Sequence, residues 1–95
     1  MIPGSVSKLT ESVVPFAATI TAKTDIVHIN GAGTINTINP GLGTRQSQFL
    51  ILNSNAASVL GTTGNIAVGL TMVVNRPVFL VFSKALGKWL INSGV

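Results

Sequence analysis

Short apolar runs that recur along the chain, each bounded by turn residues, restrict the fold more than any other feature. Val, Ile and Thr number 11, 9 and 10 among the 95 residues. Their β-branched side chains suit a pleated, half-buried surface and crowd the preceding turn of a helix. Gly and Asn stand between the runs, as at Asn30-Gly31 and Gly64-Asn65, and favour tight turns. The pattern predicts an all-β protein.

The candidate strands follow one another at spacings of about 8 to 12 residues, which is typical of a sandwich or barrel. We therefore predict a small antiparallel β-sandwich or jelly-roll-like barrel at residues 15–95. Residues 1–14 lack the strand period and contain Pro3 and Gly4, so we predict an extended N-terminal arm there. The candidate strands are Phe16–Ala22, Ile26–Ile29, Thr34–Ile38, Phe49–Asn53, Ser58–Leu60 with Ile66–Val68, Leu70–Val74, Val78–Phe82 and Trp89–Asn92.

The chain has more apolar side chain than a small core can hold. Hydrophobic residues make up 46% of the sequence and charged residues 8%, while a chain of this length buries only about 64% of its surface. Residues 49–52 and 78–82 are apolar at consecutive positions, which predicts strands covered on both faces. We expect neighbouring copies of the chain to cover one of these faces. The longest apolar region, 66–82, is interrupted by Asn75-Arg76-Pro77, so no membrane partner is expected.

Catalytic chemistry needs polar groups that are scarce here. The chain has two carboxylates, Glu11 and Asp25, one imidazole, His28, and no Cys. No G-x-S-x-G element presents a nucleophile, and one His with two separate acids does not make a metal ligand set. We expect neither catalytic residues nor a metal or other cofactor, and we do not expect an enzyme.

The net charge of +4 comes from six bases that are spread singly along the chain. A nucleic-acid platform would interleave such bases with aromatic side chains. Phe49, Phe79 and three other aromatic residues lie mostly within aliphatic runs, which favours core packing. No nucleic-acid partner is expected, and a single-strand nucleic-acid-binding β-barrel remains an alternative.

The order of short motifs from Asp25 to Asn92 is distinctive. A segment Gly31–Ile38 precedes Pro40 and a glycine turn, an apolar strand follows, then Gly64-Asn65-Ile66, a second apolar strand, and Gly87-Lys88-Trp89. This order resembles small β-sandwich modules of tailed-bacteriophage structural proteins. Such modules occur as capsid decoration (cement) proteins and at the C-termini of trimeric tailspikes and fibres. The turn at 83–86 departs from the pattern because it lacks acidic and aromatic residues.

The resemblance implies a structural virion protein. It would be a capsid decoration (cement) protein, made in the host cytoplasm, that binds the major capsid protein on the capsid surface as a homotrimer. A trimerising or receptor-facing module of a tail fibre or tailspike is the alternative. The arm would contact the capsid through Val6, Leu9 and Val13. The turns and closure of the fold would depend on Gly33, Ile35, Ile38, Gly64, Asn65, Ile66, Gly87 and Trp89.

Overall fold

Ten strands run through the computed structural model, which describes residues 9–41 and 47–92. Neither of these two ranges contains a helix long and apolar enough to cross a membrane. The strands are β1 (Glu11–Pro15), β2 (Thr19–Thr21), β3 (Ile26–Asn30), β4 (Gly33–Ile35), β5 (Thr37–Asn39), β6 (Ser47–Ser54), β7 (Ser58–Leu60), β8 (Leu70–Met72), β9 (Val78–Ser83) and β10 (Lys88–Asn92).

The first seven strands wind around a shared interior, so that strands of successive turns stack in parallel. In the first ladder β1, β3 and β6 place Glu11, Ile26 and Ile51 opposite one another. Parallel ladders also join β2 to β5 and β4 to β7. The last three strands add antiparallel partners: β8 to β7, β9 to β6, and β10 to β9. The result is a five-stranded sheet β1-β3-β6-β9-β10 beside a two-stranded and a three-stranded sheet.

The all-β prediction is confirmed, but the predicted antiparallel arrangement needs correction because the sheets are mixed. The reason lies in the turns. The Asn30-Gly31 signal suits a hairpin, yet here it turns the chain through a corner from β3 to β4. Gly31 and Gly33 have φ of 128° and 147°, and Phe16 occupies the space where a side chain at either position would lie. A corner and a hairpin favour the same turn residues, so the two are distinguished only by which strands, far apart in the sequence, pair with those on either side of the turn.

The core lies between the sheets and follows the alternation of the strands. On β6 Leu50 and Leu52 point inward, and on β9 Leu80 does the same. Trp89 on β10 is fully buried, and its ring meets Phe82 edge-on with centroids 5.2 Å apart. The other buried apolar residues are Ile20, Ala22, Val27, Ile29, Ile35, Ile38, Leu60, Ile66, Met72 and Val78.

Part of the predicted N-terminal arm is a strand of the domain. Residues 11–14 belong to β1, which forms one edge of the five-stranded sheet. Thr10 anchors its start, since its N–H and its hydroxyl both donate to Asp25 Oδ2 at 3.0 Å. Val14 packs against the core, whereas Val13 points outward. Residues 1–8, with Val6, lie outside the described ranges, so the capsid-contacting arm stays a prediction.

Candidate interaction surface

The structure brings four of the sequence-predicted positions together beside β5: Ile38, Asn65, Ile66 and Trp89. Asn65 Oδ1 accepts from the Ile38 N–H at 2.9 Å, and Asn65 Nδ2 donates to the Ile38 carbonyl at 2.7 Å. Trp89 Nε1 donates to the same carbonyl at 2.8 Å. Ile66 pairs with Trp89 as an isolated bridge. The Asn65 amide thus bonds the backbone at the edge of β5 as a neighbouring strand would. We call Ile38, Asn65, Ile66 and Trp89, which are joined by these contacts, the lock.

The remaining predicted turn positions lie in different places. Ile35 is fully buried on β4, next to Gly33 and its left-handed corner. At Gly64 a side chain would collide with the Asn36 carbonyl and the Thr37 hydroxyl. Gly87, with φ of 67°, turns β9 into β10 in open space. These positions shape the backbone and present no reactive group.

Polar side chains outside the core make local contacts. His28 Nε2 lies 2.8 Å from Glu11 Oε1, and His28 Nδ1 lies 3.2 Å from Asn53 Nδ2. Over residues 9–41 and 47–92, no three side chains of His, Cys, Asp or Glu come together to hold a metal ion. A groove of about 490 Å³ at the β1 and β2 edges is lined by methyl and hydroxyl groups, with Lys23 among them.

The outer face of the five-stranded sheet is the unusual surface. Alternate residues of β6, β9 and β10 point away from the core, and the most exposed apolar ones are Phe49, Phe79, Val81 and Leu90. Their exposed fractions are 52%, 44%, 40% and 40%. Ile26 and Ile51 continue the same row as Phe79 and are half-buried. We call these six residues the apolar face.

The apolar face is continuous across neighbouring strands. Phe49 lies opposite Val81, which lies opposite Leu90. The rings of Phe49 and Phe79 meet edge-on, with centroids 5.7 Å apart. From the exposed fractions, the four outermost side chains present about 350 Å² to solvent, the size at which a patch on a small protein is commonly functional.

Charged groups flank the apolar face on both sides. Glu11 stands on β1, in the same cross-strand row as Ile26, Ile51 and Phe79. Lys88 begins β10 at the opposite edge, facing Ser83. Both residues are exposed. The face therefore has an acidic rim on one side and a basic rim on the other.

Sequence reasoning named the turn positions and the arm anchors, but it did not name this face residue by residue. The available signal was the consecutive apolar run at 78–82, which predicted a strand covered on both faces. In the single chain Leu80 and Phe82 are covered, while Phe79 and Val81 are not. Comparison with known proteins finds no matching family model, no matching curated protein and no matching solved structure.

Proposed function

We propose that this chain is a structural subunit that assembles with copies of itself through the apolar face. The observation that carries the proposal is that Phe49, Phe79, Val81 and Leu90 are about half exposed on one side of the five-stranded sheet. Covering about 350 Å² would contribute about 9 kcal/mol per copy before the cost of association. An exposed apolar sheet face of this kind is otherwise an aggregation hazard.

The dimensions of the sheet accommodate three copies. Five strands at about 4.8 Å spacing give a face about 19 Å wide. Three such faces around a threefold axis would each stand about 5.5 Å from it, close to half of the roughly 10 Å at which sheets pack. Side chains such as Phe49 and Phe79 would fill that central space. A homotrimer is also what the resemblance to bacteriophage structural modules implies.

The setting that we propose is the surface of a virus capsid, where the trimer acts as a decoration protein bound to the major capsid protein. Binding only the assembled shell would stabilise it by mass action. The resemblance of the motif order supports this setting. Leu9, one of the expected capsid contacts, is 48% exposed, so it is available to a partner. Val13 is 69% exposed, but it projects from β1 on the same side as Glu11 and the apolar face, which the assembly would cover. A tail-fibre or tailspike module would form the same trimer without binding capsids.

Self-assembly is tested by light scattering coupled to gel filtration. We expect about three times the 9.8 kDa chain mass at micromolar concentration. Phe79→Ser removes about 90 Å² of contact area per copy, which corresponds to about 2 kcal/mol, and should shift the population to monomer. Val81→Ser and Val73→Ser form a matched pair, because Val73 is also exposed but lies outside the five-stranded sheet. A soluble wild-type monomer, or equal effects of both valine substitutions, would contradict the proposal.

Capsid decoration is tested separately by co-sedimentation with capsids emptied of the protein. We expect saturable binding of the trimer to intact shells and none to unassembled capsid subunits. A trimer that does not bind capsids would favour the tail-fibre or tailspike alternative. Saturable submicromolar binding of single-stranded nucleic acid at physiological salt, with an affinity that falls steeply as salt is added, would favour the β-barrel alternative instead.

A further inference from the structure

We infer that the copies join head to tail, with Glu11 at the acidic rim of one copy paired with Lys88 at the basic rim of the next. This inference rests on the proposed self-assembly and specifies which edges meet. It concerns the two outermost strands of the five-stranded sheet, β1 and β10.

The charges are available for such a contact. The Glu11 side chain is 65% exposed, and one of its oxygens contacts His28. Across the part of the chain that the structure describes, no acidic side chain lies within ion-pair distance of Lys88. Lys88 and Glu11 both project on the side of the sheet that carries the apolar face, as the cross-strand rows show.

Threefold symmetry brings opposite rims together. When three copies of one face surround an axis, each copy meets its neighbours through two different edges. The β1 edge of one copy then lies beside the β10 edge of the next, and opposite charges adjoin at all three corners. A two-fold arrangement that paired β1 with β1 would leave Glu11 of each copy without a Lys88 partner. Such rim charges determine orientation and specificity more than affinity.

The positions of Glu11 and Lys88 along the strand direction determine how far the strands must incline for the two side chains to meet. Lys88 lies two cross-strand rows from Phe79, hence about 13 Å along the strand direction from the level of Glu11. Over a face about 19 Å wide, strands inclined by about 35° to the axis would bring the two groups level.

Charge exchange tests the pairing. Glu11→Lys and Lys88→Glu should each raise the trimer dissociation constant about tenfold or more at low salt. The double variant, which restores opposite charges at each corner, should return close to wild type. Added salt should diminish the single-variant effects, because exposed pairs are screened. Arg76→Glu, a charge reversal at an exposed position in the turn before β9 and outside both outermost strands, is the matched control and should leave the trimer unchanged.

The double variant keeps the test specific, since it cannot restore the lost contact between Glu11 and His28. Failure of the double variant to recover, or an equal effect of Arg76→Glu, would overturn the pairing. If the charge variants all stay trimeric while Val81→Ser dissociates, the head-to-tail pairing is wrong and self-assembly stands. A monomeric wild-type chain would overturn both.

Discussion

Asn65 stabilises the edge of β5 through two hydrogen bonds to one residue, and its removal is the most informative change to the fold. The side chain bonds both backbone groups of Ile38, at 2.9 and 2.7 Å. Ile38 itself is fully buried. In Asn65→Ala the Ile38 carbonyl keeps the Trp89 Nε1 donor, but its N–H loses the side-chain acceptor.

The expected loss follows from these contacts. Each hydrogen bond contributes about 0.5–1.5 kcal/mol net, and a buried donor left without a partner costs about 1–3 kcal/mol more. We expect Asn65→Ala to lower the free energy of unfolding by about 2–4 kcal/mol. Asn55→Ala is the matched control, because Asn55 also makes two hydrogen bonds, to the Gly31 N–H and to Asn30 Oδ1, but in an exposed position. Its loss should stay below about 1 kcal/mol.

The assay is urea unfolding followed by the fluorescence of Trp89, the single Trp, which lies within the lock. Both alanine variants are compared in a Phe79→Ser background, so that assembly does not add to the measured stability. Equal losses at Asn65 and Asn55 would refute the view that the Asn65 amide replaces a strand at the β5 edge.

Other substitutions give distinct expectations. Gly33→Ala should lower the free energy of unfolding by at least about 2 kcal/mol, because its φ of 147° disfavours a side chain and the Phe16 ring occupies the space. Gly87→Ala, in open space at φ 67°, should lower it by about 1 kcal/mol. Urea unfolding that ranks the two losses in reverse would contradict the view that Gly33 forms a tight corner against Phe16. Trp89→Phe removes the indole donor to Ile38 but keeps an aromatic ring, so the melting temperature should fall by several degrees; an unchanged value would show that the donor is dispensable. Deleting residues 2–8 should leave the trimer intact and weaken capsid binding at least tenfold, about 1.4 kcal/mol; undiminished co-sedimentation would remove the arm from the proposal.

Local sequence patterns predicted most strands but missed β1. Pro3, Gly4 and the lack of a strand period over residues 1–14 suggested an irregular arm, yet residues 11–14 belong to β1, which ends at Pro15 on the sheet edge. In the parallel ladder the N–H of Phe16 bonds β3 through Asn30, so the position of Pro15 faces the open side. A missing N–H costs nothing there. Only the location of β1 at an edge makes the proline acceptable.

The sequence predicted that some strand face would need a covering partner, but it did not predict which residues form that face. Consecutive apolar residues at 78–82 required partners on both sides of a strand. Which side belonged to the core depended on the register of β9 against β6, where Leu50 lies opposite Leu80 and Phe49 opposite Val81. Shifting that register by one residue would exchange the buried and exposed sets.

The sequence alone determined that the chain is all-β, where its turns lie and that it holds too much apolar side chain for one small core. These properties depend on side-chain shape and on totals that any fold must satisfy. The parallel winding, the use of Asn65 in place of a strand and the charges at opposite rims were decided by the tertiary structure. They depend on contacts between residues far apart in the chain, such as Ile38 with Trp89. Local preference cannot specify them, because the same turn residues serve a corner and a hairpin equally well.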